Sequence, residues 1–94
     1  MYQLHRMKLR ATIVEEVQPD GTSVIMQFEG DPRKQHFEVH FRDWNPYQNK
    51  MRKWDLWELK IAWETEIFED PKGKKSYFTH LIGSKAVKLS GILD

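Results

Sequence analysis

The stretch that most constrains the fold runs from Lys60 to Ile82, where two alternating segments flank a lysine-rich turn. Alternate positions of the first segment fall on one side: Ile61, Trp63, Thr65 and Ile67. That period of two is typical of a strand with one buried face. Pro71 and Gly73 interrupt it, because proline removes a backbone donor and glycine permits positive φ. The stretch therefore predicts a long β-hairpin.

Three further alternating segments precede this hairpin. They run from Gln3 to Val17, from Thr22 to Glu29 and from Gln35 to Asp43. The turns between them contain Pro19-Asp20-Gly21 and Gly30-Asp31-Pro32, which combine the residues that turns prefer. Their apolar sides carry Met7, Leu9, Ala11 and Ile13, then Val24, Met26 and Phe28, then Phe37, Val39 and Phe41. Three strands joined by short turns indicate an antiparallel meander.

The segment from Trp44 to Leu59 allows two interpretations. Trp54, Trp57 and Ile61 are spaced three and four apart, as on the face of a helix that Asn49 could cap. The same residues also fit an extended chain. We expect a loop that leads into the fourth strand near Leu59, with at most one short helical turn around residues 49–58.

The tail after Gly83 is either the end of the last strand or a short sixth strand.

Five or six strands in a 94-residue chain should not leave bare sheet edges, because unpaired edges invite aggregation. We therefore expect a mainly β protein: one domain over residues 1–94, folded as a small five- to six-stranded antiparallel barrel. The main irregular segment lies between the third and fourth strands, which is the order of an OB-fold.

Overall composition favours no particular partner. Fifteen basic and 14 acidic residues give a net charge of +1, so attraction to nucleic acid must come from local clusters. The chain has no cysteine, which excludes disulfides, thiol catalysis and cysteine zinc sites. No apolar run approaches the ~18 residues of a membrane span, and the N-terminus lacks the apolar core of a signal peptide. We expect a cytoplasmic protein that binds no membrane.

Two stretches resemble the single-stranded-DNA-binding OB-fold proteins. They are VIMQFEG followed by KQHFEVHFRDW, and WETEIFEDPKGKKSYFTHLIGSKAVKL. The pair Phe41 and Trp44, together with the run Tyr77-Phe78-Thr79, is similar to a short OB-like domain family of Bacteroidetes and phage proteins. The resemblance spans roughly Met7 to Leu89, and departs from that family in the tryptophan- and lysine-rich insert before Leu59. It implies single-stranded nucleic acid as the ligand class.

Two clusters are candidates for binding nucleic acid. The first interleaves aromatic and basic residues: Trp44, Tyr47, Lys50, Arg52, Lys53 and Trp54. Rings can stack bases and cations can follow the phosphates; alternatively, Trp44 and Trp54 plug the barrel ends. The second is the hairpin turn with its following strand: Lys72, Lys74, Lys75 and Tyr77. Its lysines would neutralise phosphates, or would only keep a solvated turn soluble.

Other polar clusters indicate less. Arg6, Lys8 and Arg10 line one strand face, where cross-strand ion pairs with Glu64 and Glu66 are the simpler interpretation. His36, Glu38 and His40 share another face, but a metal site needs a third or fourth ligand that converges, and only His5 and His80 remain as imidazoles. We therefore expect no metal and no cofactor. No phosphate-binding loop, nucleophile elbow or acid–base pair indicates an enzyme.

The sequence thus favours a non-catalytic module that holds single-stranded nucleic acid. Trp44, Tyr47, Trp54 and Tyr77 would stack bases, and the six cations of the two clusters would contact phosphates. The alternative is a small protein-interaction or inhibitory module, phage-encoded for example, that uses an aromatic surface patch. An apolar patch buried in a homodimer is a further alternative.

Overall fold

A computed structural model describes residues 6–91 and shows five β-strands. They are β1 Arg6–Ile13, β2 Ser23–Phe28, β3 Phe37–Phe41, β4 Leu56–Glu69 and β5 Lys75–Ser90. The expected strand residues 3–5 and the expected tail residues 92 and 93 lie outside the described part. Within residues 6–91 no helix occurs, and so none that could cross a membrane.

The strands close into a barrel in the order β1-β2-β3-β5-β4, which confirms the expected small OB-like barrel. Four neighbouring pairs are antiparallel, but β3 and β5 run parallel, with Val39 opposite Leu81 and Phe41 opposite Gly83. The sequence interpretation made every pair antiparallel. Five strands cannot alternate direction all the way around a closed ring, so one parallel pair is required.

The barrel interior is filled by the apolar sides of the alternating segments. Fully buried side chains come from four strands and from the loop before β4: Ala11, Ile13, Met26, Val39, Met51, Leu59 and Ile61. Gly83 lets β5 approach β3 closely, because a Cβ there would lie 2.7 Å from Cε1 of Phe41 and 2.9 Å from Cγ1 of Val39. The burial of these side chains is the main source of the barrel's stability.

The two last strands are longer than the barrel needs. The described part of β1 pairs with β4 only as far as Ala62, and β3 pairs with β5 only from Leu81 onward. Residues 63–80 therefore form a two-stranded ribbon beyond the barrel, which we call the arm. Large apolar side chains are exposed on both faces of the arm, so the expectation of one buried face is wrong for this half of the hairpin. The molecule measures 54 × 29 × 29 Å.

The segment between β3 and β4 is a loop with turns, as expected, but its helix-like turn lies earlier than residues 49–58. The N–H of Asn49 donates to the carbonyl of Asn45 at 3.1 Å, and that of Met51 to Pro46 at 3.0 Å. Asn45 caps this turn, because its Oδ1 accepts from the N–H of Gln48 at 2.8 Å. The residues that follow form a separate turn, in which the N–H of Asp55 donates to the carbonyl of Arg52 at 3.1 Å, and β4 then begins at Leu56. β5 continues to Ser90, so the described part of the tail is the end of the last strand.

Candidate nucleic-acid interface

Trp44 packs against the core of the barrel. Its ring lies 4.9 Å from that of Phe41 and 6.3 Å from that of Trp57, measured between centroids. The side chain is half-buried and packs on the core. Of the two roles that the sequence allows for Trp44, this packing matches the plug and leaves little of the ring open to a base.

The other five residues of the first cluster lie together on the loop after Trp44, and we call them the loop patch: Tyr47, Lys50, Arg52, Lys53 and Trp54. The Arg52 guanidinium lies 3.9 Å above the ring centroid of Tyr47, and Lys53 Nζ lies 5.0 Å from that of Trp54. Arg52 Nη1 also donates to the carbonyl of Tyr47 at 2.9 Å. The loop patch therefore contains two cation–aromatic pairs, and their cations, Arg52 and Lys53, are adjacent in the sequence.

The backbone holds Trp54 in an unusual conformation that exposes its indole. Trp54 has φ of 75°, and bulky residues rarely adopt this left-handed region. Its N–H donates to the carbonyl of Ile13 at 2.7 Å, and the N–H of Ile13 donates to the carbonyl of Asp55 at 3.0 Å. This pairing with the end of β1 fixes the turn, and 52% of the Trp54 surface remains exposed. Strain of about 1–3 kcal/mol at such a residue is often found at functional sites.

Asp55 supports the loop patch from inside, and no pattern in the sequence indicates this role. It is only 3% exposed. Its Oδ2 accepts from the N–H of Arg52 at 3.0 Å and lies 3.4 Å from Nε1 of Trp57. The buried carboxylate thus ties the Arg52–Trp54 turn to the core.

The second cluster lies at the far end of the arm. The carboxylate of Asp70 accepts from the backbone N–H groups of Lys72 and Lys74 at 2.9 and 2.8 Å, and Gly73 takes a φ of 83°. The side chains of all three turn lysines are exposed, and Tyr77 is 63% exposed. We call residues 70–74 the tip of the arm.

The arm also exposes aromatic residues that belong to neither of the two predicted clusters. Trp63 is 43% exposed, and the rings of Phe68 and Phe78 meet edge to face 5.4 Å apart. Their alternation resembled that of core positions. Only their place beyond the last barrel pairing shows that they face solvent.

The two clusters do not form one groove within a single chain. Trp54 precedes the first residue of β4, and the tip follows its last. At about 3.3 Å per residue, this 14-residue strand separates them by roughly 40 Å. The two clusters therefore cannot line one basic, aromatic groove within a single chain, because β4 and β5 extend far past the barrel.

Between the clusters, the outer faces of β3 and β5 carry an open acidic groove of about 560 Å³, lined in part by Asp43, Glu66, His40 and His80. His40 Nε2 lies 3.2 Å from Glu38 Oε1, and His80 Nε2 lies 3.3 Å from Glu66 Oε1. The two imidazole centroids are 5.7 Å apart. Even so, no group of three or more potential ligands among residues 6–91 is arranged to hold a metal ion.

Arg42 provides the positive charge at the rim of this acidic groove, and it pairs with Glu64 at the base of the arm. Its hydrogen bond to Glu64 holds the pKa of that carboxyl below the ordinary 4.5, and the same bond raises the pKa of Arg42. Glu64 is therefore ionised at neutral pH and contributes negative charge to the base of the arm.

The basic stripe on β1 forms cross-strand ion pairs, but not with the expected partners. Lys8 and Arg10 lie 3.3 and 3.5 Å from the carboxylate of Glu58. Glu58 is directly opposite Arg10 in the register of β1 and β4, whereas Glu64 and Glu66 lie beyond the described pairing of these strands. Two basic residues of the stripe are thus already engaged with a carboxylate.

Among known proteins, the chain is similar to solved structures but to no described family. No family model matches the chain, and no curated protein does. A crystal structure of the mitochondrial single-stranded DNA binding protein Rim1 from S. cerevisiae aligns with a TM-score of 0.64 at 16% identity, over 95% of this chain and 97% of that one. A selenomethionine-labelled form of the same protein gives 0.61 at 18% identity, over 96% and 99%. At these identities the likeness shows a shared fold, the OB barrel of a single-stranded DNA binding protein.

Proposed function

We propose that this chain is a non-catalytic module that binds single-stranded nucleic acid. The observation that carries the proposal is the loop patch: two cation–aromatic pairs on a turn pinned to the barrel, with its indole exposed. The proposal is supported by the shared fold, because the similar structures are of a protein named for binding single-stranded DNA.

The residues of the loop patch have distinct roles in this proposal. Trp54 stacks on a base, and a second base stacks on the Tyr47–Arg52 pair, each worth roughly 1–3 kcal/mol. Lys50 and Lys53 contact the phosphates on either side. Because stacking on aromatic rings does not read the edges of the bases, we expect binding with little sequence preference. The binding site should cover about 4–16 nucleotides, as in other OB-folds.

The arm supplies a second contact in this proposal. Lys72, Lys74 and Lys75 bind phosphates, and Tyr77 offers a ring two residues beyond Lys75. Tyr77 lies on the same face of the ribbon as Ile67 and Thr79. The only carboxylate on this face is that of Glu69, which lies opposite Lys75. The other face carries Glu64 and Glu66, so phosphates should avoid it.

Fluorescence titration with an oligothymidylate tests the proposal at about 50 and 200 mM salt. We expect quenching of tryptophan emission and an affinity that falls with salt, with each phosphate contact contributing about 0.7 to the log–log slope. The double variant Lys50→Ala/Lys53→Ala should weaken binding and reduce the slope by about 1.4, because it removes two phosphate contacts.

The matched control is Lys8→Ala/Arg10→Ala, which removes the same charge from a stripe already paired with Glu58. We expect it to bind nearly as the unaltered protein does. No binding at 50 mM salt would overturn the proposed function, and an equal loss in both variants would show that net charge, not the loop patch, is responsible.

A further inference from the structure

We propose that a hollow on the outer face of β1, β4 and β5 binds a phosphate group that carries two negative charges. The hollow encloses about 210 Å³, and we call it the lysine hollow. It is lined by Lys8, Glu58, Leu59, Lys60, Lys85 and Val87. Neither the loop patch nor the tip of the arm contributes a residue to it, so this site is additional to the contacts of the proposed function.

The register of β1 and β4 sets two positive charges directly opposite each other. Lys8 pairs with Lys60 across these strands. Both side chains lie on the outer face of the sheet, because Leu59 and Ile61, on either side of Lys60, are buried in the barrel. Like charges in such a cross-strand pair repel, so the pair destabilises the sheet unless an anion lies between them.

Among residues 6–91, Glu58 is the only carboxylate that lines the lysine hollow, and two cations already share it. Its oxygens lie 3.3 Å from Lys8 Nζ and 3.5 Å from Arg10 Nε. Neither Lys60 nor Lys85 forms an ion pair within the same range of residues. In the described part of the chain, two ammonium groups at one hollow therefore have no counter-ion.

A β-bulge brings Lys85 to the lysine hollow. Two residues of β5, Lys85 and Ala86, lie opposite the single Leu59 of β4. By simple alternation after Ser84, which faces outward opposite Lys60, Lys85 would turn toward the barrel interior. In the bulge Ala86 packs on the core instead, and Lys85 stays exposed. The bulge thus adds a third lysine to the outer face.

The backbone conformation at Lys85 supports a role for its charge. Its φ of 50° lies in the left-handed region, which glycine adopts without the steric cost that a side chain brings. Residues other than glycine that are kept in this region are often found at ligand sites. A charge required in the lysine hollow accounts for a lysine at a position that suits glycine better.

A phosphate monoester matches the lysine hollow in charge. It carries about 1.5 to 2 negative charges at pH 7 and three acceptor oxygens, which suit the two ammonium groups of Lys60 and Lys85. Hydrogen bonds between ionised groups are about twice as strong as those between neutral ones. A phosphodiester within a nucleic-acid strand carries a single negative charge, so the hollow favours a terminal phosphate or a small phosphate compound over the backbone of a strand.

Titration with inorganic phosphate tests the site directly, with sodium chloride at the same ionic strength as the reference. The amide signals of the residues that line the hollow are followed in a nitrogen–proton correlation spectrum. We expect saturable shifts with phosphate and none with chloride. The double variant Lys60→Gln/Lys85→Gln should raise the dissociation constant of phosphate at least about tenfold, because it removes two hydrogen bonds between charged groups.

The matched control is Arg33→Gln/Lys34→Gln, which removes the same charge from the exposed turn between β2 and β3. Lys34 also has a left-handed φ, of 51°, so the two variants alter similar backbone positions. The control should bind phosphate as the unaltered chain does, and circular dichroism checks the fold of both variants. The absence of saturable shifts in the unaltered chain would overturn the proposal, and so would an equal loss of affinity in the two variants.

A second titration identifies the compound that carries the phosphate group, and this step rests on the proposed function. It compares oligothymidylates that have a terminal phosphate at either end with one that has none. Tighter binding of a phosphorylated strand, lost in Lys60→Gln/Lys85→Gln, would assign the hollow to a strand end. Equal binding of all strands would assign it to a small phosphate compound. If no strand binds, the proposed function fails, whereas the titration with inorganic phosphate still decides the lysine hollow.

Discussion

At the scale of single residues, Asp55 is the side chain on which the loop patch depends. Its buried carboxylate accepts from the N–H of Arg52, and the carbonyl of the same residue pairs with β1 at Ile13. Sequence alone gives no reason to separate Asp55 from 13 other acidic residues. Its role arises because the loop folds back over it, which is a tertiary contact and not a local pattern.

We expect Asp55→Ala to lower the free energy of unfolding by about 1–3 kcal/mol, because it leaves the part-buried N–H of Arg52 and the buried Nε1 of Trp57 without their acceptor. Urea denaturation followed by circular dichroism measures the change. Asp70→Ala is the control: it also removes an acceptor of backbone N–H groups, but at the exposed tip, where water replaces it at less than about 1 kcal/mol. Equal losses in the two variants would contradict the role assigned to Asp55.

At the scale of elements, β4 shows where a sequence pattern stops being informative. Ile61 and Ile67 occupy equivalent positions in one alternating run, and this pattern predicts that both lie on the same side of one strand. Ile61 is fully buried, whereas Ile67 is exposed. Alternation reports which residues share a face, but only the pairing of β1 and β3 determines how far along the hairpin that face is covered.

This difference gives a matched pair of substitutions. Ile61→Ala should lower the free energy of unfolding by about 2–5 kcal/mol, because it opens a cavity in the barrel. Ile67→Ala should change it by no more than about 0.5 kcal/mol, because the side chain leaves no cavity at the surface of the arm. The two can be compared in the same urea experiment, and a large loss for Ile67→Ala would mean that the arm is part of the cooperative core.

At the scale of the whole molecule, most of the architecture could be read from the sequence. Five alternating segments and an irregular segment before the fourth strand predicted the barrel that the structure shows. The parallel pairing of β3 with β5 follows from ring closure with five strands. The distance between the loop patch and the tip could not be predicted from the sequence, because it depends on how much of β4 and β5 extends beyond the barrel.

The path of the loop in the whole molecule explains why the sequence predicted only part of the candidate site. Residue types and spacing identified Tyr47, Arg52 and Trp54, which the structure holds together at the surface. They could not distinguish Trp44, which has similar neighbours in sequence but packs against Phe41 and Trp57. Whether a tryptophan plugs a barrel or faces a ligand is decided by the path of the loop.

The central claim is that single-stranded nucleic acid binds at the loop patch, and the four tryptophan indoles allow one direct measurement of it. In a nitrogen–proton correlation spectrum, each indole N–H gives a separate signal during titration with oligothymidylate. We expect the signal of exposed Trp54 to shift most and that of Trp57, which is 5% exposed, to move little. Saturable binding that leaves the Trp54 signal in place would contradict the claim.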